Sequence, residues 1–310
     1  MRKATLPIVF FAFLTGSVSL PAQNTFPVND IANPREGCYA FINATIVKDA
    51  QTTLLGASLV IRQGKIESIG ASASIPKDAV LVECKGKYIY PSFIDIHSDY
   101  GTQPVKNESG GFGRSTQMVS NTKGAYGWNQ AIRSETDIST SFTVNEARAK
   151  DLRSIGFGAV LTHQADGISR GTGAIVTLAN EKENKVMLKE KASANYSFDK
   201  GSSTQDYPTS LMGAIALLRQ NYLDAQWYKS KPVTEGINLS LQAFIDNQTL
   251  PQIFEGNDKW SDLRADKIGD EFGVQFIIKG GGNEYQRVKE VKSTNASFIL
   301  PLNFPQAMDV

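Results

Sequence analysis

Residues 88–97 read Tyr-Ile-Tyr-Pro-Ser-Phe-Ile-Asp-Ile-His, a nearly continuous apolar run that ends in polar side chains. Such a run is typical of a strand that is buried on both faces of a parallel sheet. Its polar end indicates that the C-terminal end of the strand opens into a functional site. We therefore expect His97 to line that site.

Upstream of this run, residues 38–90 consist of short β-branched segments that are separated by turn residues. The segments 57–62 and 65–69 flank Gln63-Gly64, a two-residue connection typical of a hairpin. This pattern predicts a small antiparallel β module that packs on the residues after it. Its two cysteines, Cys38 and Cys84, are either bridged or free and buried, since spacing alone does not determine their separation.

Downstream of the run, helical and strand patterns alternate between residues 144 and 302. Helices are predicted over 144–155, 208–229, 258–272 and 284–292, and strands over 158–162, 173–178, 185–189, 251–255, 274–279 and 297–302. This alternation implies right-handed βαβ units on a parallel sheet. Residues 100–143 are rich in Gly, Ser, Thr and Asn, which predicts a long irregular loop.

The N-terminal residues have the pattern of an export signal. A basic start precedes an apolar run over 6–14, and small residues lead to Ala22, where cleavage is expected. We predict a signal peptide over 1–22 and a linker over 23–37. No later segment reaches the ~20 apolar residues of a membrane span. The expected product is exported, periplasmic or extracellular, and not held in a membrane after cleavage.

The composition restricts the function further. The 310 residues include 32 basic and 31 acidic side chains, a formal net charge of +1. Nucleic acid and anionic membranes are therefore poor partners, because the chain has no broad field of one sign. Only two histidines occur, His97 and His163. A site that needs four imidazoles cannot be built from this chain alone.

Two motifs upstream of His97 indicate a family. Residues 43–47 read Asn-Ala-Thr-Ile-Val, and residues 59–70 read Leu-Val-Ile-Arg-Gln-Gly-Lys-Ile-Glu-Ser-Ile-Gly. Together with Pro-Ser-Phe-Ile-Asp-Ile-His at 91–97, they resemble the N-terminal region of the metal-dependent amidohydrolases, most closely the imidazolonepropionase-like branch. The resemblance implies an α/β fold with a small N-terminal β-sandwich module over 38–90, followed by a (β/α)8 TIM-like barrel over 91–310.

The resemblance also implies a metal-dependent hydrolase. In that family the first barrel strand ends in Asp-x-His-x-His, and the two imidazoles share one face of the strand, where both bind one metal. The metal lowers the pKa of bound water, and a carboxylate moves the proton. The expected substrates are small molecules with non-peptide C–N bonds, such as cyclic amides, and the expected cofactor is a divalent metal, most often zinc.

This chain departs from the family pattern at several ligand positions. Asp99 stands where the second histidine is expected, and the later strands end in Glu255 and Lys279. A metal, if one binds, would be held by His97, Asp99 and Glu255. His163 and Lys279 are then candidates for substrate binding. The alternative is a degenerate strand end without a metal, because hydrolytic zinc sites generally use more nitrogen ligands.

The barrel is expected to be incomplete. A (β/α)8 barrel needs ~250 residues, and 91–310 supply fewer, part of them in the irregular loop. Three hypotheses follow. The chain is the N-terminal part of an exported amidohydrolase, or a non-catalytic structural domain that supports a catalytic copy elsewhere in a longer polypeptide, or an exported ligand-binding module. We expect the isolated chain to be inactive.

Overall fold

The computed structural model describes residues 37–105, 120, 122–230 and 236–302. The predicted signal peptide, nearly all of the linker and part of the loop over 100–143 lie outside these residues. The chain divides after Pro91 into two compact units. Of the helices in the described ranges, none is both long enough and apolar enough to cross a membrane.

The first unit is a five-stranded mixed β-sheet. Its strands are β1 Cys38–Val47, β2 Thr53–Arg62, β3 Lys65–Gly70, β4 Val80–Glu83 and β5 Tyr88–Ile89. β1 pairs antiparallel with β2 but parallel with β4 and β5. The prediction of an antiparallel module was therefore wrong for β4, because the connection over 71–79 returns the chain to the starting end of β1. The described residues form one sheet and do not show the expected sandwich.

The hairpin between β2 and β3 is confirmed. Arg62 pairs with Lys65, and the two turn residues between them, Gln63 and Gly64, both have positive φ. Positive φ at both central residues is the conformation that a type I′ hairpin turn requires. Both cysteines of the unit are buried and free. Cys38 and Cys84 belong to separate apolar clusters of the sheet.

The second unit contains a seven-stranded sheet with helices packed on it. Its strands are β6 Phe93–Ser98, β7 Phe157–Thr162, β8 Ser169–Thr177, β9 Met187–Ser197, β10 Gln252–Glu255, β11 Phe276–Lys279 and β12 Ser297–Ile299. Its helices are α1 Ile138–Ser141, α2 Glu146–Ser154, α3 Glu183–Val186, α4 Leu211–Ser230, α5 Leu239–Asn247, α6 Lys259–Phe272 and α7 Val288–Ser293, with a 3-10 helix over Glu284–Arg287. The strand order is β12-β11-β10-β9-β8-β7-β6, and barrel closure is not detected in the part of the chain described.

One strand of this sheet runs against the others. β8 is antiparallel to both β7 and β9, whereas every other neighbouring pair is parallel. The connections over 163–168 and 178–186 are too short for the crossover of a dozen or more residues that parallel strands need. The expectation of a wholly parallel sheet was wrong at this strand for that reason.

β6 contains the end of the apolar run over 88–97, and it is an edge strand of the sheet. It pairs only with β7. Phe93 and Ile94 are 66% and 61% exposed, so the predicted burial on both faces was wrong. An edge strand has a neighbour on one side only, which leaves its apolar side chains less covered than those of a central strand.

The main core of the second unit fixes the central strands against the helices. Its fully buried large side chains include one from each of β9, α4, α5, β10 and β11, in that order Tyr196, Leu218, Phe244, Phe254 and Phe276. Aromatic side chains of this size dominate core energetics because each buries a large apolar area. The C-terminal ends of β10 and β11 are therefore positioned by well-packed elements.

Candidate functional site

Five polar side chains gather where several strands of the second sheet end or begin. They are His97 on β6, His163 just after β7, Arg170 on β8, Glu255 on β10 and Lys279 on β11. The C-terminal ends of the parallel strands lie on this side of the sheet. The N-terminal end of the antiparallel strand β8 lies on the same side. We call these five residues the strand-end cluster.

Glu255 is bound by two cations in this cluster. Its Oε2 accepts a hydrogen bond from Arg170 Nη1 at 2.5 Å, and its Oε1 accepts one from Lys279 Nζ at 3.1 Å. Burial raises the pKa of Glu255, but the charge and hydrogen bond of Arg170, with the charge of Lys279, outweigh burial and lower that pKa to about 2. Both oxygens of this carboxylate are thus occupied by ion pairs.

Arg170 is the most buried cation of the cluster. Its side chain is 5% exposed, and its Nε donates to the carbonyl oxygen of Gly167 at 3.1 Å. A guanidinium is rarely buried to this extent without a partner. Glu255 supplies that partner, which makes the two residues a buried, charge-assisted pair.

The two histidines of the chain lie side by side. Their rings meet edge to face with 4.6 Å between centroids. Burial, followed by the charges of His97 and Arg170, lowers the pKa of His163 to about 3. Burial is also the main cause that lowers the pKa of His97. Both imidazoles are therefore neutral at neutral pH, and His163 Nε2 has no hydrogen-bond partner among the described residues.

Asp99 does not join this cluster. Its carboxylate forms an ion pair with Arg148 of α2, and its side chain is 60% exposed. β6 ends at Ser98, so strand alternation no longer fixes the direction of the next side chain. Asp95 lies two positions before His97 on the strand, and its Oδ1 accepts a hydrogen bond from the backbone N–H of His97 at 3.1 Å.

The predicted ligand set of His97, Asp99 and Glu255 is not brought together. Across the described ranges, no group of three or more His, Cys, Asp and Glu side chains is placed to hold a metal ion. Asp99 is paired with Arg148, and Glu255 is held by two cations. The donors present here do not fit the divalent metal that the resemblance implies, and metal binding stays a prediction.

The structure places the other two predicted residues, His163 and Lys279, in the cluster, and their role in substrate binding stays a prediction. Sequence reasoning missed Arg170. The rule that functional side chains follow strand ends applies to the C-terminal ends of parallel strands, whereas Arg170 stands near the start of an antiparallel one. The short connection over 163–168 is the signal that could have revealed this direction.

A hydrogen-bond network ties together the loops beside the cluster. Asp166, which follows β7, accepts from the backbone N–H of Ser202 at 2.7 Å and pairs with Arg133 at 2.7 Å. Gly201 has a φ of +63°, and a Cβ there would lie 2.0 Å from Asp166 Oδ1. Only glycine allows the loop after β9 to approach Asp166 this closely.

Two buried acidic residues lie next to each other near the ends of β10 and β11. Asp262 on α6 is fully buried, and Glu284 is nearly so. Burial, followed by the neighbouring carboxylate of Glu284 and the charge of Asp258, raises the pKa of Asp262 to about 8, against the opposite effect of Lys279. A protonated Asp262 can donate to Glu284, whereas two ionised carboxylates could only repel each other.

These elements define a mixed α/β protein with an ionic cluster at its strand ends, and comparison with known proteins extends that description. No family model matches the chain, and no curated protein matches it. An amidohydrolase from Thermotoga maritima MSB8 is similar, with 20% sequence identity over 85% of this chain and 70% of its own, at a TM-score of 0.64.

Two further solved structures align less well. They are another amidohydrolase, with 13% identity and a TM-score of 0.39, and a prolidase complexed with N-methylphosphonate-L-proline, with 12% identity and a TM-score of 0.41. Each alignment covers 86% of this chain and 66% of the other. The likeness to the Thermotoga protein shows the fold: this chain has an amidohydrolase fold over most of its length.

Proposed function

We propose that this chain is an amidohydrolase-like domain without hydrolytic activity of its own. The observation that carries the proposal is the double ion pair of Glu255 with Arg170 and Lys279. A metal could gain Glu255 as a ligand only if both ion pairs broke. Two cations would then face the charge of the metal at short range, which is strongly unfavourable in a partly buried site.

The partners of the carboxylates near the two histidines support the same proposal. Hydrolytic zinc sites use two or three histidines in most cases and keep one position open for water. The whole chain has two histidines, and the carboxylates nearest to them have other partners. The strand-end cluster therefore fits a degenerate active site better than a working one.

The role that suits such a domain is to support a catalytic copy elsewhere in a longer polypeptide, or to bind a small molecule. The amidohydrolase fold supports the relationship on which this role depends. A catalytic copy of this fold would cleave non-peptide C–N bonds in small molecules such as cyclic amides. We place the mature domain outside the cytoplasm, periplasmic or extracellular, on the basis of its N-terminal pattern.

An active metal-dependent hydrolase is the second candidate, and one observation favours it. His97 and His163 are neutral and adjacent, and Nε2 of His163 has no hydrogen-bond partner in the described part of the chain. Neutral imidazole nitrogens are the usual ligands of zinc. Two such donors side by side at the strand ends could provide two nitrogen ligands of a metal site.

Metal content and hydrolysis, measured together, separate the two candidates. The mature chain would be produced with zinc in the medium, desalted, analysed for bound metal and assayed on five- and six-membered cyclic amides. We expect well under one equivalent of zinc, and no hydrolysis beyond that of His97→Ala. One equivalent of zinc, with hydrolysis that His97→Ala abolishes and the exposed control Glu271→Gln keeps, would overturn the proposal.

A further inference from the structure

The strand-end cluster has more hydrogen-bond donors than acceptors. Lys279 Nζ carries three N–H donors and makes one hydrogen bond within the described residues, to Glu255. Arg170 uses Nη1 and Nε, and its Nη2 has no acceptor in the same part of the chain. His163 Nε2 is buried there without a partner. Buried polar groups normally have partners, so the unpartnered Nε2 of His163 needs an explanation, and Lys279 and Arg170 supply unused N–H groups in the same cluster.

The charges of the cluster are also unequal. Arg170 and Lys279 share one carboxylate, that of Glu255. Asp95 is the other carboxylate near His97, and it accepts the backbone N–H of His97 rather than a hydrogen bond from either cation. Within the cluster the two cations therefore share one carboxylate, and Asp262, with its neighbour Glu284, is the next acidic group near Lys279.

We propose that a small carboxylate anion binds at the strand-end cluster, where it accepts hydrogen bonds from Lys279 and Arg170 beside His163. This inference deepens the proposed function, and rests on it, by naming the class of ligand that the domain takes. A planar monocarboxylate suits the cluster because Arg170 presents a planar set of donors. The neutral imidazole of His163 would donate from Nε2 without adding charge.

The two histidines make this proposal measurable. Because the chain has only two, the ring signals of ¹⁵N-labelled histidine in the full mature chain report on the cluster alone. We would titrate sodium acetate at constant pH and compare it with sodium chloride at equal ionic strength. We expect a saturable shift of both histidine signals with acetate, at a Kd in the millimolar range, and no saturable shift with chloride.

Three variants complete the test. Lys279→Met removes the ammonium group with its charge and N–H donors and keeps roughly the length of the side chain, so acetate should bind at least tenfold more weakly. Lys292→Met, on the exposed surface of α7, should bind acetate like the wild type. Glu255→Gln frees both cations for the anion, so acetate should bind several-fold more tightly. The opposite directions of Lys279→Met and Glu255→Gln distinguish direct binding from general loss of structure.

Several results would overturn the inference. They are a shift that does not saturate, acetate affinities that are equal in the wild type and Lys279→Met, or weaker acetate binding in Glu255→Gln. Tighter binding of inorganic phosphate than of acetate would overturn the assignment to carboxylates. None of these results bears on hydrolysis, so this inference can fail while the proposed function stands, and metal-dependent hydrolysis would overturn the proposed function independently.

Discussion

Glu255 and Lys279 lie directly opposite each other on the adjacent parallel strands β10 and β11, with 3.1 Å between Oε1 and Nζ. The second oxygen of the same carboxylate holds Arg170, whose side chain is almost fully buried. One carboxylate therefore pairs with cations that two other strands, β8 and β11, bring to the strand ends. Stability at this edge should depend on Glu255 more than on any exposed acidic residue.

Glu255→Gln should destabilise the protein markedly. The amide keeps the shape of the side chain but leaves Arg170 buried without a counter-charge, a change that typically costs about 3 kcal/mol. Urea denaturation at neutral pH measures the free energy of unfolding. Glu271→Gln is the matched control, because Glu271 pairs with Arg219 at the surface and should have little effect. Equal stabilities of the two variants would contradict the role given to Glu255.

The buried Asp262 should make stability depend on pH in a defined direction. Its pKa is about 8 in the folded protein and near 3.8 when unfolded, so the unfolded chain releases the proton first. Its contribution to stability is complete below about pH 4 and is lost as pH rises toward 8, by at most ~1.4 kcal/mol per pH unit.

Asp262→Asn tests this dependence. The variant should gain stability relative to the wild type as pH rises from 5 to 8, measured by urea denaturation at several pH values. Asp246→Asn, on the exposed side of α5, should follow the wild type at every pH. A constant difference between Asp262→Asn and the wild type over this range would mean that Asp262 is not held protonated.

Gly201→Ala should destabilise the loop after β9 by both backbone strain and a steric clash. A Cβ at this position would lie 2.0 Å from Asp166 Oδ1 and 2.4 Å from the backbone nitrogen of Gly167. Gly273→Ala is the control, since Gly273 has a similar φ of +69° with open space around it. We expect Gly273→Ala to cost about 1 kcal/mol and Gly201→Ala about 2 kcal/mol more. Thermal denaturation would show whether the two glycines differ.

Asp166→Asn should loosen the same loop without unfolding the protein. The change weakens the ion pair with Arg133 and the hydrogen bonds from the backbone N–H and hydroxyl of Ser202. Amide hydrogen exchange at Ser202 should become at least tenfold faster. Asp199→Asn, which alters an exposed bond to Gly201, should leave the exchange at Ser202 nearly unchanged. Unchanged protection in Asp166→Asn would show that other contacts hold the loop.

Local patterns predicted much of the fold. The hairpin at Gln63-Gly64 and the long amphipathic helix α4 follow from turn chemistry and apolar spacing. The sequence analysis did not predict α5, because its nine residues are too few to show a clear helical spacing of apolar side chains. The direction of β8 follows from the short connections on either side of it, and the residues of the strand itself do not indicate that direction.

The candidate site was predictable only in part. Glu255 and Lys279 end short apolar strands, and that position alone indicates a site at the sheet edge. Their partnership with Arg170 depends on the antiparallel course of β8, which sequence spacing did not reveal. For Asp99 the sequence misled the prediction. Its i, i+2 spacing from His97 places both side chains on one face only within a strand, and β6 ends at Ser98.

The most direct test of the central claim is anomalous X-ray diffraction at the zinc edge from crystals of the mature chain soaked in zinc. The account predicts no anomalous peak in contact with His97 or Glu255, and the ion pairs of Glu255 with Arg170 and Lys279 intact. A zinc peak bound to His97 and His163, with Glu255 turned away from Arg170 to complete the coordination, would contradict it.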